Sequence, residues 1–418
     1  MKMHILLLTT FAVSLCGQAS SSPSPEEARE FHRDFVYPYG KEGSWWRGGD
    51  FTRYVLTHMS EFWFHTLLTK GQHTVELPNA IRNDVAGFQV QTEGFGGTLE
   101  DYVNNSPTDG AIVIQSGRIV FEAYPRMKMS DKHSWFSVSK VLVSLAIGIL
   151  EKEGRIEVSR PASDYLEMLQ GTEWEGIPVL DILDMASGMD VNVAYTDQAT
   201  HFYKFYQALG WPSFDQAWPN PKEYLGQIGK LRPAGEVQEY SGVNTTALSW
   251  IIESISNQRY PDFITEKIWK RMGAGSDGLM LISPKGDSVS DTGVSSTLRD
   301  LARLGLLYTP AGRKNRIAAV SDAHLRKIQE EGRPELLRNG NPDNYMGFSE
   351  KEVSHNTYQW DIVFQDGDFY KDGFNGQGLY ISPKKDLVIA FFGTKEFKGP
   401  PNRMRQIARQ LATSGIFD

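Results

Sequence analysis

Apolar and polar positions change period several times along this chain. GAIVIQSGRIVFEAY (Gly110 to Tyr124) alternates apolar and polar residues on both sides of a Ser-Gly pair. Alternation of period two puts every second side chain on one face, so this stretch predicts a β-hairpin. GLYISPKKDLVIAFFGT (Gly378 to Thr394) predicts a second hairpin, turning at Pro383-Lys384-Lys385. NRMRQIARQLATSG (Asn402 to Gly415) has helical spacing and a terminal glycine, so the chain is expected to end in a helix. Between the hairpins, stretches such as VLDILDMASGM, TTALSWIIESI and TLRDLARLGLLY read as helix or loop. No fixed-period repeat and no heptad appears. Strands near both ends with helices between them imply an α+β fold: one antiparallel sheet with a helical subdomain, roughly 155–290, inserted against it. The run WFSVSKVLVSLAIGILEKEG (135–154) is nearly all apolar and predicts a buried helix stopped by Gly154. It nevertheless carries Lys140 at its front end, three residues after Ser137.

Composition narrows the class. The 418 residues are 40% apolar and 22% charged, with a formal charge of −8. There is no basic stripe, which argues against a nucleic-acid partner. Aromatic residues make up 12%, with ten Trp, which suits a deep core and an aromatic-lined cleft. The first 19 residues have a basic start at Lys2, an apolar stretch and small residues, the layout of a cleaved signal peptide. That implies a secreted or periplasmic protein. The apolar part is too short to span a bilayer, so no stable membrane insertion is expected. Cys16 offers a lipid anchor as an alternative, although Leu15 before it fits lipidation poorly, and an uncleaved anchor is the third reading. Residues 20–30 are Ser/Pro-rich and read as a disordered tether, with one catalytic-sized domain over 31–418. Cys16 is the only cysteine, so neither a disulfide framework nor a thiolate metal site is expected. None of the nine His forms H-E-x-x-H, and no metal or other cofactor is expected. The pattern carries no signal for oligomeric state.

Ser137 and Lys140 form an S-x-x-K. On a helix, residues three apart share a face, so the amine can approach the hydroxyl. A serine in the first turn also has a backbone N–H free to donate to an oxyanion. An apolar setting disfavours the charged lysine and lets it act as a base. The plainer reading is a helix cap with a snorkelling lysine. A second S-x-x-K, Ser382 to Lys385, lies on the second hairpin's turn and reads as solvated. GEVQEYSGVNTTALSWIIE places Tyr240 in a turn just before a helix, where its hydroxyl can face a cleft or simply pack. KDGFNGQGLYISP (Lys371 to Pro383) is a Gly-rich entry into a strand, which can bring a backbone N–H to a ligand or be a plain bulge.

At these three places the chain resembles the serine hydrolases of the class C β-lactamase, DD-peptidase and esterase superfamily. It is most similar to the 6-aminohexanoate-dimer (nylon-oligomer) hydrolase branch, over most of residues 85–415. IPVLDILDMASGMD and TGVSSTLRDLARLGLL resemble further family segments. The resemblance implies a β-lactamase/transpeptidase-like fold and a small amide or ester as substrate. It makes Ser137 the nucleophile, Lys140 the base and Tyr240 a proton relay. The oxyanion hole would use the backbone N–H groups of Ser137 and Gln377. Phe374, Asn375 and Gly376 would line the substrate site, and Tyr195 would contact the substrate amide. Two departures stand out. The asparagine of the family's Tyr-x-Asn is Gly242 here. The Lys or His that opens the third motif is Phe374, although Lys371 lies just upstream. Losing that cation disfavours substrates that carry a β-lactam's carboxylate. A Ser-His-Asp hydrolase would need a G-x-S-x-G elbow, which is absent. A penicillin-recognising enzyme and a non-catalytic binding homologue are the readings left open.

Overall fold

The computed structural model describes residues 48–210, 220–314, 319–396, 399 and 401–418, together with Glu26 and Glu30. The expected leader with Cys16, and most of the tether, lie outside the described residues. Residues Gly43–Asp418 form one unit. Its strands are β1 (His65–Leu68), β2 (Gln89–Thr92), β3 (Phe95–Thr98), β4 (Thr108–Gln115), β5 (Arg118–Ala123), β6 (His133–Ser134), β7 (Gly278–Leu281), β8 (Val294–Ser296), β9 (Val353–Thr357), β10 (Trp360–Phe364), β11 (Phe369–Gly373), β12 (Gln377–Ser382) and β13 (Leu387–Gly393). Five helices position the site: α1 (Lys140–Lys152), α2 (His201–Leu209), α3 (Gly242–Ser256), α4 (Leu298–Leu306) and α5 (Met404–Thr413).

The main sheet has seven strands in the order β5-β4-β13-β12-β11-β10-β9. Every paired neighbour in it is antiparallel. Both expected hairpins are there: β4 and β5 turn through Ser116-Gly117, each with positive φ, and β12 and β13 turn through Pro383 to Asp386. The expectation of a single sheet is corrected. A second sheet, β1-β7-β8-β6, is built from strands two to four residues long, and β2 and β3 make a third. Strands that short show no period. The last helix runs Met404–Thr413, as the C-terminal pattern predicts.

Alternation along the strands divides the core. Ile112, Ile114, Val388, Ala390 and Phe392 face one cluster, while Ala111, Val113, Leu387, Ile389 and Phe391 face another. Helices therefore cover both faces of the main sheet. The first cluster contains α1, whose residues Lys140 to Leu150 are all buried. A helix apolar all round belongs in the middle of a fold, and each large side chain buried there contributes roughly 1.5–3 kcal/mol. No helix among the described residues is long and apolar enough to cross a membrane.

Candidate active site

Ser137 sits in a 3₁₀ turn, Phe136–Ser139, that runs directly into α1. Three residues per turn stack positions 137 and 140 on one side. The turn is pinned from several directions. Trp135 is fully buried, its N–H donates to the Val294 carbonyl at 2.8 Å, and its indole donates to Ser296 Oγ at 2.9 Å. Phe136 has a φ of 45°, a left-handed conformation that costs about 1–3 kcal/mol for a non-glycine residue. Its ring lies in a small core with Leu281 and Val289, and that burial offsets the strain. The turn packs against β11 and β12, so the strand that begins at Gln377 lies beside Ser137. Close approach needs Gly373: a Cβ there would lie 2.6 Å from the Trp135 carbonyl oxygen.

Lys140 Nζ lies 3.2 Å from Ser137 Oγ. The same amine donates to the Asp291 carbonyl oxygen at 3.0 Å and lies 3.7 Å from Asp291 Oδ2. Burial removes water from the ammonium and pushes the Lys140 pKa down to about 8, against the pull of the Asp291 carboxylate. Tyr240 stands just before α3, held by the Glu239 N–H on the Met185 carbonyl and by Ser241, whose hydroxyl caps the helix. Lys140 Nζ lies 5.1 Å from the Tyr240 ring centroid, and Lys371 Nζ lies 4.8 Å from it. Lys371 on β11 is fully buried, 3.5 Å from the Tyr240 oxygen and 2.5 Å from Asp361 Oδ1. Burial, and then the Asp361 carboxylate, hold the Tyr240 phenol well above its usual range, so it is neutral near pH 7. Ser137 lies beside the phenol and pulls its pKa the other way.

An aromatic wall rises from this centre. Phe136 contacts Phe374, Phe374 contacts Tyr195, Tyr195 contacts Phe202, and Phe202 contacts Tyr206, with centroids 4.6–6.4 Å apart. Phe374 and Tyr195 are exposed at its lip. Lys395 Nζ lies 4.9 Å from the Phe374 ring centroid, so a cation is near the position where the third motif has lost one. Asn375 is buried in the turn between β11 and β12, with a φ of 74°, and Gly376 N–H closes that turn on the Gly373 carbonyl.

The structure thus brings Ser137, Lys140 and Tyr240 into mutual contact and sets the β12 start and the Phe374–Tyr195 rim around them. The solvated reading of the second S-x-x-K is corrected. Ser382 is buried facing Asp368, while Lys385 reaches the Ala412 carbonyl and Asp418. Sequence reasoning missed Asp291, Tyr206 and Asp361, which arrive from distant segments with no motif around them.

The β-lactamase family model matches residues 97–414. The chain belongs to the β-lactamase family. It is a serine hydrolase of that family's kind. The chain is 29% identical over 293 residues to 6-aminohexanoate-dimer hydrolase of Paenarthrobacter ureafaciens, covering 70% of this chain and 74% of that protein. Solved structures share the β-lactamase fold. A Bacillus anthracis protein described as a 6-aminohexanoate-dimer hydrolase matches with TM-score 0.74 and 22% identity, over 88% of this chain and 94% of its own. A class C β-lactamase matches with TM-score 0.51 and 14% identity, over 76% and 95%.

Proposed function

We propose that this enzyme hydrolyses a small amide or ester through an acyl-enzyme on Ser137. The observation that carries this reading is the buried Lys140 amine, 3.2 Å from Ser137 Oγ, whose pKa burial pushes down to about 8. A base whose pKa lies close to the working pH combines availability with driving force. Lys140 takes the Ser137 proton as Oγ attacks the substrate carbonyl carbon. The backbone N–H groups of Ser137 and Gln377 receive the oxyanion. The proton then passes from the Lys140 ammonium through the neutral Tyr240 phenol to the leaving nitrogen or oxygen. The carbonyl re-forms, the bond to the leaving group breaks, and water later attacks the acyl-enzyme by the same route.

The aromatic wall favours apolar substrate groups beside the carbonyl. Phe374 in place of a cation favours uncharged esters and amides over β-lactams. The relative from Paenarthrobacter, named a 6-aminohexanoate-dimer hydrolase, supports the same substrate class. The leader read at residues 1–19 would deliver the enzyme outside the cytoplasm. A fluorophosphonate probe tests the reading. Covalent label on Ser137, with turnover of short nitrophenyl esters or amide oligomers, is expected. A folded protein that neither labels nor turns over any of them would be a binding homologue instead.

A further inference from the structure

Residue 242 is where this chain departs from Tyr-x-Asn, and the structure shows what occupies the room. A Cβ on Gly242 would lie 2.1 Å from the Tyr206 hydroxyl and 2.2 Å from Asp291 Oδ2. Tyr206 donates to that same Oδ2 at 2.6 Å. Both side chains are well buried. Tyr206 comes from α2, whose start is capped by the Thr200 hydroxyl, and Asp291 comes from the loop before β8. Two distant segments therefore meet in a volume that only a glycine at 242 leaves open.

Asp291 offers Lys140 one acceptor, its carbonyl oxygen at 3.0 Å, and places its carboxylate Oδ2 nearby at 3.7 Å. A neutral amine has two N–H bonds and one lone pair. With one N–H bonded to the Asp291 carbonyl and the other drawn toward its carboxylate, the lone pair is left to face Ser137 Oγ. We infer that Asp291, held by Tyr206, is the positioning residue for Lys140, and that it stands where the side chain of residue 242 would otherwise be. Tyr206 occupies the very oxygen that faces Lys140, and so holds the carboxylate back from closing onto the amine and locking it as an ammonium. This inference rests on Lys140 as the base.

The test is the pH profile of kcat/KM on a nitrophenyl ester. The groups facing Lys140 are Ser137 on its own turn, Asp291, the Tyr240 ring, and Lys371 with Asp361 from the main sheet. The Asp291 carboxylate stabilises the charged amine, so removing it lowers the Lys140 pKa. Asp291→Asn should then move the acid limb down by about one pH unit, and lower the plateau about tenfold or more because the base is weaker and less well aimed. Tyr206→Phe leaves the carboxylate but frees it to approach Lys140. It should cost several-fold in plateau rate and move the acid limb up. A purely structural role would lower activity in both variants without moving either limb, and that result overturns the inference. Should Asp291→Asn fail to fold, Tyr206→Phe, which removes one oxygen, decides the matter alone by the same criterion. Wild-type fluorophosphonate labelling is read in parallel. Its absence sinks the proposed function, whereas unmoved limbs in a labelling enzyme sink only the role of Asp291.

Discussion

Two buried lysines lie close to Tyr240, each beside an aspartate, and they are built for different work. Lys371 is locked to Asp361 at 2.5 Å. Lys140 keeps 3.7 Å from Asp291 Oδ2, whose other partner is Tyr206. Burial lowers the pKa of both. In the tight pair the carboxylate holds the Lys371 amine directly beside the phenol. In the loose pair the amine can give up its proton, with the nucleophile 3.2 Å away. The distance between a buried lysine and its carboxylate thus separates an amine held by its partner from one placed to act as a base.

The comparison breaks most sharply at Lys140. Ser137→Ala and Lys140→Ala should each reduce kcat/KM by at least about a thousandfold, and together by little more, because groups that act as a unit lose non-additively. Lys140→Arg should be as poor as Lys140→Ala, since a guanidinium cannot accept a proton near neutral pH. Steady-state assays on one ester decide this, and an active Lys140→Arg enzyme would remove lysine from the base role.

Stability should sort the two lysines the other way. Lys371→Met leaves Asp361 buried without its cation and should cost about 3–5 kcal/mol in chemical unfolding. Adding Asp361→Asn should recover much of that loss. Lys140→Met leaves Asp291 its hydrogen bond from Tyr206 and should change stability by about 1 kcal/mol or less. Equal losses for the two methionine variants would mean that the pairs do not differ as their geometry indicates.

A smaller effect concerns the rim. A charge-assisted contact to a desolvated carboxylate is worth roughly 1.5–3 kcal/mol, and each 1.4 kcal/mol is tenfold in rate. Wild-type enzyme should hydrolyse short nitrophenyl esters with little or no turnover of nitrocefin. Phe374→Lys should raise the nitrocefin-to-ester ratio by about one to two orders of magnitude. Fast wild-type turnover of nitrocefin would instead point to Lys395, beside the Phe374 ring, as the carboxylate's anchor.

The smallest effect is on pH. The wild-type acid limb should fall below about pH 8 as Lys140 takes up its proton. Lys371 holds the Lys140 pKa down, so Lys371→Met should move that limb to higher pH, opposite to the shift expected of Asp291→Asn. A Lys371→Met profile that superimposes on wild type would show that Lys371 does not reach the base.

What the sequence disclosed follows the range of each signal. Ser137 and Lys140 lie one turn apart, Tyr240 lies beside its helix start, and both hairpins show their alternation, so local reading found them. Tyr206 and Asp291 are 85 residues apart along the chain, and Lys140 and Asp291 are 151 apart. Nothing in SVSDTG marks the aspartate, because its role exists only once three segments pack. Strands β9 and β10 were hidden for a related reason. WDIVF is buried on both faces and loses its alternation, and VSHNT reads as polar although four of its five residues are buried.

Gly373 gives the nucleophile an unexpected address. The missing Cβ lets the end of β11 touch the Trp135 carbonyl, so the setting of Ser137 depends on the width of a single methyl group on another strand. Anyone transplanting this catalytic centre into a new scaffold would need to carry a strand ending along with the helix beginning. The four-letter motif would arrive intact without it and lose its support.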